Sequence, residues 1–246
     1  MTGTWNRVDL AGKPADVYEP TGPARPRFGL LYLHGADEAT LRDRPTFSRL
    51  FEELRLACVC PTGDLSWWTD RVCPAFDPYV TAERYLLQSV VPYFQERWGL
   101  APRSIGLFGL GMGGQGALRL AFKHPDLFPA VAGVAPAIEY HEYYGAGSPL
   151  DDLYDSKEQC RQDTVPMHVH PAHYPPHVFF AMDPDDSWWF RGSDRLHEKL
   201  SALGVPHEID FTTRTEGDRV SYFDRLGERA VRFLVQALEQ ESRRLL

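Results

Sequence analysis

The sequence predicts an α/β fold: a mainly parallel sheet of about seven or eight strands with helices on both faces. Short apolar runs alternate with helical patterns along the chain, the signature of strands joined by crossover helices. Several runs are apolar throughout, as strands covered on both faces must be. The length of 246 residues suits one large core, and no repeat, low-complexity tract or composition break divides it. Residues 1–246 therefore read as a single domain.

An early strand is expected at 17–19, and 28–33 (FGLLYL) is a continuous apolar strand ending at His34-Gly35. A helix over 47–54 precedes a strand at 57–60, and a long helix over 82–98 precedes a strand at 104–108. That strand runs into a glycine cluster and then a helix over 112–123. A strand follows at 130–134. The stretch 140–176 has little periodicity and many Pro, Tyr and His, and reads as an insertion or cap over the sheet edge. Strands at 177–182 and 207–211 flank a helix over 194–203, where Leu196, Leu200 and Leu203 share a face before the stop at Gly204. The last helix, 222–240, repeats Phe223, Leu226, Ala230, Phe233, Leu234 and Ala237 at helical spacing.

Apolar residues form 43% of the chain and charged residues 24%, an ordinary balance for a folded globular protein. A net charge of -8 argues against nucleic acid, which needs a cationic surface to displace counterions, and favours a small uncharged or cationic ligand. No signal-peptide core and no unbroken apolar run of about 18 residues is present, so no membrane partner and a cytoplasmic location are expected. Homo-oligomerisation stays open. Cys58, Cys60, Cys73 and Cys160 match neither a zinc pair nor a disulfide framework and read as buried thiols. His168, His170, His173 and His177 lie close in sequence, but prolines 171, 175 and 176 break any helix or strand period that would align three rings. No metal and no cofactor is expected.

The informative segment is 104–117, SIGLFGLGMGGQGA, an apolar strand entering a glycine-rich turn and a helix. Gly109-x-Gly111-x-Gly113 has the form of the nucleophile elbow G-x-S-x-G, whose outer glycines let strand and helix backbones approach. Glycine stands where serine belongs. A dinucleotide loop would also satisfy Gly109-x-Gly111-x-x-Gly114, but that fingerprint sits at the first strand of its fold, with a carboxylate ending the next. Here the run 130–134 ends in Ala135-Pro136.

From Met112-Gly-Gly-Gln-Gly-Ala117 and the Lys123-His-Pro125 turn onward, the segment resembles the esterase D and S-formylglutathione hydrolase branch of the α/β-hydrolases, whose elbow reads G-H-S-M-G-G-x-G-A. The SWWTDR (66–71) and FDP (76–78) segments fit the same layout, and the resemblance spans about 28–240. It implies an α/β-hydrolase fold of the putative-esterase type and a triad in the order nucleophile, acid, histidine. It places Gly111 at the nucleophile, Asp186 (with Asp183 as fallback) at the acid and Asp218 at the histidine, since 212–223 resembles G-H-S-W-x-Y-W/F. The oxyanion donors would be the Met112 amide and those of Gly35 and Ala36, which need no side chain. His34, Trp67, Trp68, Trp188 and Trp189 are candidate pocket residues, although one tryptophan of each pair also reads as core.

The missing histidine does not depend on the resemblance. The nine histidines lie at 34, 124, 141, 168, 170, 173, 177, 197 and 207, and none follows the last strand. His207 begins that strand, roughly 16 Å from its C-terminal end at about 3.3 Å per residue. Acyl transfer by serine needs a hydroxyl, a base and an orienting carboxylate, and two of these are absent. The expectation is a catalytically degenerate esterase-family protein that keeps a small-molecule or partner-binding pocket. The alternatives are an active carboxylic-ester hydrolase using Ser187, Ser66 or water with Asp218 as base, and a purely structural role.

Overall fold

The computed structural model describes residues 3–216 and 218–244. Gly217, which the resemblance pairs with the glycine before the histidine, lies outside the described residues. In chain order the elements are β1 (Thr4–Leu10), β2 (Lys13–Glu19), β3 (Gly29–Leu33), α1 (Pro45–Leu54), β4 (Ala57–Pro61), α2 (Ala82–Tyr85), α3 (Val91–Trp98), β5 (Ile105–Leu110), α4 (Met112–Lys123), β6 (Ala130–Val134), α5 (Leu150–Leu153), α6 (Lys157–Gln162), α7 (Val165–His168), β7 (His177–Ala181), α8 (Phe190–Ala202), β8 (Glu208–Asp210) and α9 (Arg219–Arg244).

The eight strands form one sheet in the order β1-β2-β4-β3-β5-β6-β7-β8. The first two pair antiparallel with each other and β2 pairs antiparallel with β4, while every later pairing is parallel. β3, β4 and β6 are buried at all five of their positions, which explains why they read as unbroken apolar runs.

Alternate side chains enter two cores. Leu31, Leu33, Leu107 and Val131 pack on one face with Phe94 of α3, Leu118 of α4 and Leu196 of α8. Leu30, Tyr32, Phe108 and Ala132 pack on the other with Phe51 of α1 and Leu226, Leu234 and Leu238 of α9. The centre of that second core is aromatic: Phe223 stacks on Phe108 at 5.9 Å and packs against Tyr32 and Phe47.

Several boundaries differ from the sequence reading. β1 escaped it because Thr4–Leu10 is a half-exposed edge hairpin strand carrying Asn6, Arg7 and Asp9, without the apolar alternation of a buried strand. The helix expected over 82–98 is one continuous run, but its centre, Leu86–Val90, is π-helical. The 140–176 stretch contains a short turn at Tyr140–Tyr143 and the three small helices α5, α6 and α7. All four cysteines are buried free thiols. Among the described residues no helix is long and apolar enough to cross a membrane.

An ion cluster joins the 140–176 stretch to the sheet's helices. Arg119 of α4, 1% exposed, bonds Glu83 of α2 and Asp163 at 2.5 Å each. Glu83 also meets Lys123 at 2.6 Å and His124 at 3.1 Å, while Asp163 meets His168 and the Tyr154 hydroxyl. Burial raises the Glu83 carboxyl, but the His124, Arg119 and Lys123 partners outweigh it and hold the group at about 2.

Candidate functional site

Gly111 joins β5 to α4 with φ 56° and ψ -114°, a conformation that costs residues with a Cβ. Its amide donates to the Val134 carbonyl at 3.0 Å, and its carbonyl accepts from Gln115 at 3.1 Å and Ala137 at 3.0 Å. The turn is thus fixed on three sides. The flanking glycines are sterically enforced: a Cβ at Gly109 would overlap the Gly113 carbonyl, and one at Gly113 would overlap the Leu33 carbonyl. At Gly111 a Cβ would meet nothing within 4 Å. The turn keeps an outward-facing position for a side chain that the sequence does not supply.

The first turn of α4 lies against the exit of β3, so the Met112 amide and the loop of Gly35 and Ala36 share one corner of the sheet. Among the described residues none of these three amides has a protein acceptor. His34 sits behind the corner, 1% exposed. Its Nδ1 donates to the Gly35 carbonyl at 2.7 Å and its Nε2 accepts from the Gly63 amide at 2.9 Å, which fixes the neutral tautomer. Burial lowers its pKa, although hydrogen bonding to Gly35 opposes the shift. The His34 carbonyl accepts from Trp68 Nε1 at 3.1 Å, and Trp68 is buried. Trp67 and Trp68 both hold φ 54°, and the Trp67 carbonyl accepts Gln115 Nε2 at 2.5 Å.

Asp218 caps α9, and Asp186 holds the turn that leads into α8. Asp186 Oδ1 accepts the Trp189 amide at 3.2 Å before α8. Asp183 accepts the Asp185 amide at 2.9 Å and the Thr215 amide at 3.4 Å, linking the β7 exit to the loop after β8. Asp218 is exposed and accepts the Val220 and Ser221 amides at 3.1 Å and the Ser221 hydroxyl at 2.6 Å. Those bonds, the Ser221 hydroxyl foremost, lower its pKa. Near both loops lies Tyr222, which no sequence motif marks as a site residue. Its buried hydroxyl has no partner among the described residues; burial first, then the Asp210, Asp183 and Asp186 charges, push its pKa up.

Each imidazole is engaged elsewhere. His124, His168, His173 and His177 face Glu83, Asp163, Asp126 and Glu241, His141 lies 3.5 Å from Glu142, and His170 accepts the Ala172 amide. His197 and His207 bond one another at 2.7 Å. Among the described residues no imidazole hydrogen-bonds a serine, threonine or cysteine. Ser66 is fully buried, its Oγ accepting the Trp68 amide at 3.3 Å, and Ser187 is exposed. No group of three or more His, Cys, Asp or Glu among the described residues is arranged to hold a metal ion.

A cavity of about 180 Å³ opens beside the β6 and β7 exits, lined by Glu139, Glu142, Ser187, Trp188, Trp189 and Arg191. It includes the second tryptophan pair. Trp67 instead stacks on Tyr140 at 5.2 Å, and Tyr143 bridges it to Trp188 and Trp189 at ring distances of 5.1 to 6.4 Å. Nothing in the sequence flagged Glu139 or Tyr143, because their role depends on a turn that periodicity does not reveal.

The family model described as "Putative esterase" matches residues 16–210. The chain belongs to the esterase family. No curated protein sequence matches this esterase-family chain. Among solved structures it is similar to FphF, a fluorophosphonate-binding serine hydrolase of Staphylococcus aureus (TM-score 0.79, 17% identity, covering 96% of this chain and 99% of that one). It is also similar to an S-formylglutathione hydrolase from Agrobacterium tumefaciens (TM-score 0.76, 17% identity, 96% and 94%). A third similar structure is the S-formylglutathione hydrolase FrmB from Staphylococcus aureus (TM-score 0.74, 16% identity, 96% and 100%). At these identities the likeness establishes an α/β-hydrolase fold.

Proposed function

We propose that this esterase-family protein is catalytically degenerate and binds a small molecule at the C-terminal edge of its sheet instead of performing serine hydrolysis. One observation carries the reading: the elbow keeps its strained turn at Gly111 without a hydroxyl, while every imidazole is engaged away from any serine, threonine or cysteine among the described residues. A nucleophile without a base, or a base without a nucleophile, cannot divide acyl transfer into its two steps. Here both are missing from the elbow.

The water route, with Asp218 as base, fits the geometry poorly. Its carboxylate is committed to the first turn of α9, and those bonds make it a weaker base than an ordinary aspartate. Asp183 and Asp186 likewise accept backbone amides, and among the described residues no imidazole faces either carboxylate. We read the chain as one domain in which 140–176 is an integral cover, a reading that the Arg119–Asp163 pair supports.

FphF is described as fluorophosphonate-binding, which makes that reagent the discriminating probe. Incubated beside FphF as the positive control, the intact chain is expected to gain no phosphonyl mass. A labelled serine anywhere in it would overturn the reading.

A further inference from the structure

The cavity beside Trp188 has a composition that restricts what it can hold. Glu139 is already met by Arg191 at 2.8 Å and Arg195 at 2.6 Å, and Glu142 by Lys157 at 2.6 Å and Arg191 at 3.4 Å. Neighbouring Asp185 pairs with Arg214, and Asp186 accepts an amide. A ligand cation would compete with guanidinium groups already seated on the carboxylates. A ligand anion would compete with those same carboxylates for Arg191, the one cation among the described residues of the lining. What the lining leaves uncommitted is π surface and the Ser187 hydroxyl: Trp188 is 58% exposed, and its ring lies against Tyr143, which also contacts Trp189.

The cleft is open to solvent, and its volume gives room for one ring. A volume of about 180 Å³ slightly exceeds the roughly 150 Å³ that accommodates a benzene-sized ring. Exposed indole gains free energy when another flat apolar face covers it, and offset stacking adds to the area term. The cavity also lies close to the turn: Ala137, two residues before Glu139, donates its amide to the Gly111 carbonyl.

We propose that this cleft binds an uncharged, single-ring aromatic molecule stacked on Trp188, with a polar substituent within reach of Ser187. The inference rests on the binding role proposed above and names its ligand class. Charge neutrality within the wall sets the selectivity, and the indole face supplies the attraction.

The test is an NMR titration of the indole N–H signals with 4-methylphenol, beside benzoate and benzyltrimethylammonium as charged probes of similar ring size. The expected result is saturable displacement of the Trp188 and Trp189 signals by 4-methylphenol, with weaker response to both ions. Trp188→Ala is expected to weaken binding about tenfold, as loss of one stacking face would, while Trp188→Phe retains most of it. A melting curve of each variant confirms folding. Silence of those two signals, tighter binding of either charged probe, or unchanged affinity in Trp188→Ala would each overturn the proposal. Failure here is distinguishable from failure of the degenerate reading: fluorophosphonate labelling would sink that reading with the titration unaffected, and a silent titration leaves it standing.

Discussion

The Asp218 carboxylate accepts both the amide of Ser221 at 3.1 Å and its hydroxyl at 2.6 Å, so the residue at the expected histidine position closes the first turn of α9. A side chain held this way serves the helix, because its oxygens satisfy amides that have no partner within the helix itself. Asp218→Ala is therefore expected to lower the melting temperature, while Asp218→Asn, which can still accept, largely preserves it. The bonds lower the folded-state pKa, so this stabilisation is complete above the ordinary value of 3.8 and fades as pH falls through the lower folded one. Thermal melts of the three proteins between pH 3 and 7 check both statements; an Asp218→Ala melt matching the parent would refute the capping role.

The three elbow glycines are expected to respond differently to a methyl group. Gly109→Ala and Gly113→Ala place a Cβ on backbone carbonyls and should prevent folding, whereas Gly111→Ser meets open space and costs only the positive φ, of order 1 to 3 kcal/mol. Chemical denaturation of soluble variants provides the comparison. Equal losses at all three positions would contradict the steric account.

Removing Arg119 leaves Glu83 and Asp163 without their shared guanidinium inside the protein. Arg119→Met is expected to destabilise by about 3 kcal/mol, the low end of the cost of breaking a buried ion pair, because Lys123 still meets Glu83 and His168 still meets Asp163. Glu83 carries a folded pKa of about 2 against an ordinary 4.5, so its contribution is present above 4.5 and is lost as pH falls toward 2. The variant should show a shallower acid limb in a stability profile measured by urea unfolding.

His34 predicts the opposite pH behaviour from an imidazole that gains a carboxylate partner. Its folded pKa lies below 6.5, so the unfolded chain binds the extra proton and stability falls as pH drops through 6.5. His34→Gln keeps a polar side chain without a titrating ring and should flatten that part of the profile. It should also loosen the Gly35 and Gly63 contacts, visible as faster amide exchange at Gly63.

The parts of this molecule legible in its sequence are those governed by local rules. The apolar runs of β3, β4 and β6 declare themselves because both faces are covered, and the elbow declares itself because Gly109 and Gly113 admit no substitute. β1 was hidden because an edge strand bearing Arg7 and Asp9 carries little apolar alternation. The Glu83–Arg119–Asp163 cluster was hidden because its members are 36 and 44 residues apart and only the tertiary fold joins them. Tyr143 became visible only through its place between two tryptophan pairs. The capping role of Asp218 and the turn held by Asp186 depend on where α9 and α8 begin, and each helix starts three or four residues earlier than its apolar periodicity indicates.

Acetyl-ester turnover by the purified chain tests most directly the proposal that the elbow keeps its geometry without its chemistry. Hydrolysis of 4-nitrophenyl acetate is expected at the uncatalysed buffer rate, unchanged in Ser66→Ala, Ser187→Ala and Asp218→Asn. Saturable turnover abolished by any one of those substitutions would contradict the account and assign the missing function to that residue.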